Sequence, residues 1–252
     1  MFVLISIVIL IFLILFRYLK KLLENLGSEN EKIPRILIQT WKTNKLPEKC
    51  EKFVDELKRL HPDYNYKFFT DNDIYQFLKD NYEEYLKTYD KLPLTIQKID
   101  FFRYIAIYHF GGIYLDLDME CKKNMNSMLT HNSVFPVDEY INHINGKKPR
   151  YAGFYNDNQN FLVGQYAFAG EPKNKFIKSL IDGIHKNIDR IVRTVNHNDD
   201  NYVYITTGPD YVTKKYMEYN EKNKIEILDN KKRQQFGDYA EHKYFGSWKK
   251  LK

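Results

Sequence analysis

Hydrophobic and polar positions divide the chain into three zones. Phe2 to Phe16 is apolar on every helical face except at Ser6, and Arg17, Tyr18, Leu19 and Lys20-Lys21 follow it. At 1.5 Å per residue such a run spans about 22 Å. Snorkelling by Arg17 and Lys20, with Tyr18 at the interface, lengthens it toward the roughly 30 Å of a hydrocarbon core. The run has no basic leader and no Ala-x-Ala-like cleavage site, so the pattern predicts a single-pass transmembrane helix over residues 1–23 rather than a cleaved signal. The polar stretch 24–32 (ENLGSENEK) reads as a short stem, and residues 33–252 as one folded domain.

Within that domain the period of the pattern alternates. Arg35 to Thr40 (RILIQT) is a β-rich run and predicts a first buried strand. Pro47 to Leu60 carries apolar residues at helical spacing (Phe53, Val54, Leu57, Leu60), with Pro at its start and His61-Pro62 beyond its end. Tyr64 to Phe69 alternates as a strand and ends in Thr70-Asp71-Asn72-Asp73, an N-cap for a following helix. Strand, helix, strand, helix in this order predicts an α/β domain with a parallel sheet and helices on its faces. In such sheets ligands bind beyond the carboxyl ends of the strands, where Trp41 and Asp71–Asp73 fall. Pro93 to His109 is the best-defined helical pattern and stops at Gly111-Gly112, after which Ile113 to Leu117 reads as a short strand. Pro172 to Arg193 reads as a helix, Thr207-Gly208-Pro209 as a turn before another, and Ile225 to Leu228 as a strand.

Composition adds little to this picture. The net charge of +6 and pI near 8.9 would suit an anionic partner, but the lysines are scattered and form no basic stripe, so nucleic acid is not an expected partner. Cys50 and Cys121 lack metal-ligand spacing; two unpaired structural thiols or one bridge both satisfy the sequence.

The candidate chemistry lies in the charged residues that interrupt apolar segments. Asp116 and Asp118, two apart at the end of a strand, direct both carboxylates to one side. Like charges so close need a cation or protons to neutralise them, and oxygen ligands suit Mg²⁺ or Mn²⁺. Asp100 and Arg103 share a face of a helix that Ile99, Phe101, Phe102, Tyr104, Ile105 and Ile107 make apolar on nearly every side. A charged pair there is costly unless it serves a site or a buried partner.

The run Ile33-Pro34-Arg35-Ile36-Leu37-Ile38-Gln39-Thr40-Trp41, then Thr70-Asp71, then Asp100-Phe101-Phe102-Arg103-Tyr104, then Gly111-Gly112-Ile113-Tyr114-Leu115-Asp116-Leu117-Asp118 resembles glycosyltransferase family 32. More distantly it is similar to the glucosyltransferase domains of the large clostridial toxins. Thr207-Gly208-Pro209 and His242-Lys243-Tyr244-Phe245-Gly246-Ser247-Trp248 continue the likeness in the expected order. The resemblance implies a GT-A (Rossmann-like, nucleotide-sugar-binding) fold and retaining transfer of a hexose from a UDP- or GDP-linked donor to a glycan or other hydroxyl acceptor. It implies Asp100, Arg103 and Asp118 as catalytic residues. Donor contacts are expected from Trp41 (stacking on the base), Asp71, Asp73, Tyr114, Asp116, Ser247 and Trp248. Asp116, Asp118 and His242 are the expected ligands of Mn²⁺ or Mg²⁺, with His242, Ser247 and Trp248 closing over the diphosphate. The chain departs from the family at Ile38 and Glu171, where His is frequent. The expected setting is a membrane, either Golgi-like or viral and host. Orientation stays open, because the positive-inside rule points the domain to the cytosol and secretory-pathway transferases usually face the other way. Two other readings compete. One is an inactive, membrane-tethered nucleotide-sugar or carbohydrate-binding protein. The other is a two-metal phosphodiesterase, which needs more clustered ligands than these dispersed histidines provide.

Overall fold

The computed structural model describes residues 30–142, 144–155, 160–196, 199–229 and 234–245, with residue 12 and residues 14–16. Most of the apolar run at 2–16, and Ser247 and Trp248, lie outside the described residues. Among the described residues no helix is long and apolar enough to cross a membrane.

The domain opens with β1 (Ile36–Thr40), α1 (Glu48–Leu60), β2 (Asn65–Phe69) and α2 (Asp71–Asn81). The N-terminus of α2 is closed by a capping box between Thr70 and Asp73. Next come α3 (Glu83–Lys91), α4 (Thr95–Phe110) and β3 (Gly112–Leu115). Helix α4 is sheathed on almost all sides, with Phe101, Phe102, Tyr104, Ile105, Ala106 and Ile107 fully buried. Its end requires the two glycines. Gly111 has φ +68°, and a Cβ there would meet the rings of Pro34 and Pro172 at 2.7 Å. Gly112 has φ +98°, and its Cβ would lie 2.5 Å from the Ile36 carbonyl oxygen. Only glycine therefore lets β3 start against β1 at this separation.

Strands β4 (Met119–Cys121), β5 (Ser133–Tyr140), β6 (Phe161–Val163) and β7 (Ala167–Gly170) follow. Helices α5 (Lys175–Lys186), α6 (Ile188–Arg193), α7 (Asp200–Thr206) and α8 (Pro209–Glu218) precede β8 (Ile225–Leu228), β9 (Gln235–Phe236) and β10 (Ala240–His242). The main sheet runs β2-β1-β3-β7-β5-β6, with β8 beside β5, and a small sheet runs β4-β10-β9.

The sheet is parallel where the strand-helix-strand order predicts it, at β2-β1-β3, and mixed beyond, which corrects the expectation for the later strands. β1 pairs parallel with β2 and β3, and β5 with β8, but β7 is antiparallel to both β3 and β5, and β6 to β5. A parallel return needs a long crossover, usually helical. The described chain between β3 and β7 holds only strands, turns and 3₁₀ segments, so its strands come back antiparallel. Two further boundaries differ. The strand expected to Leu117 stops at Leu115, and the helix expected over 172–193 breaks at Asn187, whose side chain caps the Gly183 carbonyl at 2.8 Å.

Alternating side chains give each face of the sheet its own core. Ile38, Tyr114, Phe135 and Phe168 pack with α4 and α5, and Leu37, Ile113, Leu115, Val134, Ala167 and Ala169 pack with Met119, Met125, Leu129 and Phe236 on the other side. Cys50 and Cys121 are both buried and both free, so there is no bridge.

Candidate active site

One cavity of about 1030 Å³ opens at the carboxyl ends of β1 and β3 and is lined by Trp41, Asp71, Asp100, Arg103, Tyr114, Asp116, Asp118 and His242. The structure thus gathers residues spread over two hundred positions of sequence.

Asp116 and Asp118 occupy the turn between β3 and β4, not the strand itself. The Asp116 N–H donates to the Tyr166 carbonyl at 2.8 Å, and the Met119 N–H closes the turn on the Asp116 carbonyl at 3.1 Å. Strand β10 pairs antiparallel with β4, setting His242 opposite Met119. His242 Nε2 lies 3.0 Å from Asp118 Oδ1, its Nδ1 is 3.0 Å from Gln234 Oε1, and its ring stacks on Tyr166 at 5.1 Å. One ligand atom each from Asp116, Asp118 and His242 fall within 4.8 Å of one another.

Electrostatics separate the two carboxyls. Burial opposes the charge of Asp118, but the hydrogen bond and charge of His242 and the Phe245 N–H at 2.9 Å outweigh it and hold the group below its ordinary value. Burial raises Asp116, against the pull of Arg103. His242 is the reverse of a buried histidine. Desolvation would lower it, but Asp118, Asp116 and Asp138 hold it above its ordinary value.

Asp100 and Arg103 are 1% and 2% exposed. Arg103 Nη2 lies 3.4 Å from Asp100 and 3.1 Å from Asp116, and Nη1 donates to the Gln165 carbonyl at 3.0 Å and to the Gln165 side chain. Its guanidinium sits over the Tyr114 ring at 4.6 Å. Burial works against its charge, but Asp116 and the other acidic and phenolic neighbours keep it above its ordinary value. Among the described residues, the Arg103 Nε is the one buried side-chain donor with no hydrogen-bond partner. Asp100 accepts from Thr207 Oγ1 at 2.7 Å and Gln165 Nε2 at 3.2 Å, and burial pushes its carboxyl up to about 6.

The other expected residues divide. Trp41 follows β1, donates its backbone N–H to the Phe69 carbonyl at 3.1 Å, and joins an apolar wall with Cys50, Leu117 and Phe245. Asp71 faces the cavity and is raised by burial. Tyr114 is buried and donates to Asp116 Oδ1 at 2.9 Å, so it orients the carboxylate from beneath. Asp73 is not brought to the cavity. It is exposed and accepts from the Thr70 N–H at 2.9 Å and hydroxyl at 2.6 Å, which serves the α2 terminus. Sequence reasoning missed Gln165, Tyr166, Asp138 and Arg150. Each lies in a segment without clear periodicity, and no local signal marks any of them.

The family described as "glycosyltransferase sugar-binding region containing DXD motif" matches residues 47–135. Inositol phosphoceramide mannosyltransferase 1 of Schizosaccharomyces pombe is 31% identical over 196 residues, covering 76% of this chain and 54% of the relative. The chain therefore spans about half the length of that enzyme. A protein of Acanthamoeba polyphaga mimivirus named uncharacterized glycosyltransferase L373 is 30% identical over 213 residues, 79% of this chain and 72% of the relative. Among solved structures, the PaToxG glycosyltransferase superposes with a TM-score of 0.52 at 18% identity, covering 79% of this chain and 76% of that one, a likeness of fold. The chain belongs to this family of DXD-motif glycosyltransferases, and Asp116-Leu117-Asp118 is its DXD motif.

Proposed function

We propose that the protein transfers a hexose, with mannose the leading candidate, from a nucleoside-diphosphate donor to a hydroxyl of an inositol phosphoceramide-type or related glycan acceptor, with retention at the anomeric carbon. The observation that carries this reading is the convergence of Asp116, Asp118 and His242 beside the buried Arg103 on one cavity wall. Two carboxylates and one imidazole are a donor set that fits Mn²⁺ or Mg²⁺. A divalent cation held by these three residues would supply charge neutralisation for the departing diphosphate.

The chain's own groups account for the rest. Arg103 stays cationic, and through its contact with Asp116 it sets a fixed positive charge behind the cavity wall, where negative charge develops on a departing diphosphate. Asp100, fixed by Thr207 and Gln165, is placed to accept from sugar hydroxyls. Trp41 and the apolar wall around it suit a stacked base. In the transfer itself, the acceptor oxygen bonds to the anomeric carbon on the face the diphosphate leaves. The carbon–oxygen bond to phosphate breaks with its electrons, and the departing phosphate takes the acceptor's proton.

The mannosyl and lipid specificity follows the fission-yeast relative's name. The apolar run at 2–16 extends the reading to a membrane-anchored enzyme. Alkaline carbonate extraction should leave the full chain in the membrane fraction, and its release would refute the anchor. A panel of UDP- and GDP-sugars assayed with Mn²⁺ tests the chemistry. Hydrolysis and transfer should occur with one donor and vanish in Asp118→Asn with the fold intact by circular dichroism. Unchanged turnover in that variant would refute the metal assignment, and metal-dependent nucleotide binding without turnover would assign the non-catalytic reading.

A further inference from the structure

The cavity continues past the donor residues to a second wall, and that wall holds a charged side chain with hydrogen-bond donors left unused. The order β2-β1-β3-β7-β5-β6 sets Trp41 and Asp71, at the ends of β1 and β2, on one flank of the Asp116–Asp118 turn. Asp138 of β5 and Arg150 of the loop after it belong to the opposite flank, with Tyr204 of α7 and Gly208-Pro209 at the start of α8. Arg150 Nε and Nη2 pair with the two oxygens of Asp210 at 2.9 and 2.6 Å, and Asp210 is 1% exposed. The Tyr204 and Tyr151 rings lie 4.5 and 5.3 Å from the guanidinium, which fixes its plane. This anchor joins the donor site through the chain, because Asp210 stands three residues after Thr207, the hydroxyl that holds Asp100.

A guanidinium carries two forks of donors. The side fork is spent on Asp210. The end fork, formed by Nη1 and the second Nη2 proton, makes no hydrogen bond among the described residues, and Arg150 lines the cavity. Lys147 and Lys148, exposed on the same loop, add two positive charges close to Arg150 in the chain, whose own charge the neighbouring Asp138 also favours. A guanidinium that braces its own loop through one fork and keeps the other unbonded on the lining of a substrate-sized space has donors left for a ligand.

Resting on the proposed transfer reaction, we infer that Arg150 is an acceptor-specificity residue whose open fork grips a phosphodiester on the acceptor, holding its hydroxyl-bearing ring over the donor sugar. Phosphate oxygens match that fork in geometry and charge. The phosphodiester can belong to a lipid headgroup or to a soluble polyol phosphodiester, and the assay separates the two.

The full chain in detergent is assayed with Mn²⁺ and its preferred donor against three acceptors: a phosphoinositol lipid in mixed micelles, glycerophosphoinositol, and phosphate-free myo-inositol. Arg150→Gln is combined with Asp210→Asn so that no buried charge is orphaned. The kcat/KM ratio of glycerophosphoinositol to myo-inositol should fall roughly 10- to 100-fold, the range of a charge-assisted hydrogen bond. An equal loss on all three acceptors would make the pair structural and overturn the inference, as would an unchanged ratio. A fall for the lipid in Lys147→Ala/Lys148→Ala, without one for glycerophosphoinositol, assigns the lysines to the membrane headgroup and leaves Arg150 as the general phosphodiester contact. Calorimetry separates the two claims. Should the wild type turn over no donor, the proposed function fails, and binding of glycerophosphoinositol to wild type but not to the double variant would still uphold Arg150. Equal binding to both would overturn it.

Discussion

Arg103 is the most informative residue to remove, because its partners are named and nearly all are buried. In Arg103→Met a side chain of similar length keeps the volume while the charge disappears. The variant loses ionic contacts to Asp100 at 3.4 Å and Asp116 at 3.1 Å, the hydrogen bond to the Gln165 carbonyl at 3.0 Å, and the stacking over Tyr114. Breaking a buried pair by removing one partner costs about 3–5 kcal/mol. Two effects offset part of this. The unpartnered Nε, itself a penalty of roughly 1–3 kcal/mol, is gone. Asp100 can also shed its charge by taking a proton, since burial already raises it to about 6. The net expectation is about 2–4 kcal/mol at pH 8, read from urea unfolding, or a fall of roughly 5–15 °C in Tm.

The pH dependence carries the sharper test. The folded value of Asp100 lies above its ordinary 3.8, so the folded state holds the proton more tightly. Its contribution to stability is therefore fully present below the ordinary carboxylate range and is lost as pH rises through about 6. At pH 5 the wild-type Asp100 is already largely protonated, and Arg103 has less charge to neutralise. The penalty of Arg103→Met should accordingly be smaller at pH 5 than at pH 8, and adding Asp100→Asn should recover part of it at pH 8 only. A penalty below about 1 kcal/mol at pH 8, or one that grows on acidification, would refute the buried-pair account.

Three further outcomes follow from single contacts. Gly112→Ala should destabilise the fold by roughly 2 kcal/mol or more in denaturant titration, because its Cβ would sit 2.5 Å from the Ile36 carbonyl oxygen at a left-handed φ. Thr207→Val removes the hydroxyl 2.7 Å from Asp100 and should cost about 1–3 kcal/mol, with weaker donor binding by calorimetry. Cys50 and Cys121, both buried and free, should react with a thiol reagent only on unfolding, and the intact mass should not change on reduction.

Legibility in the sequence followed the length scale of the signal. Helix α4 was readable because sixteen residues with apolar positions on every side end at two glycines, and the same uniformity made Asp100 and Arg103 conspicuous. Strands β1 and β2 were readable from their β-rich runs. Helix α3, with three tyrosine and leucine positions scattered among charges, and the two- and three-residue strands β4, β6, β9 and β10 gave no comparable pattern. The parallel sheet was over-extended for the same reason. Periodicity identifies strands, but the direction of a return depends on what fills the crossover.

The cavity wall around Asp118 shows why local pattern could not reach the whole site. Asp118 and His242 stand 124 residues apart and meet through the three-residue pairing of β4 with β10. That pairing also delivers the Phe245 N–H to the other oxygen of Asp118, while Gln234 beside β9 orients the imidazole. In the chain alone, His242 was tied to the Asp pair only by family resemblance, because nothing in its neighbours has a period. Physically, the candidate ligand set is as stable as the small sheet that closes it. Any ion that bridges Asp116, Asp118 and His242 binds the paired form and not the open one, and so stabilises β10 against β4 by mass action. Mn²⁺ should therefore slow amide exchange across 235–242 more than in α4, whose burial owes nothing to the ion. The C-terminal strand is a closing element of the site rather than a decoration of the fold.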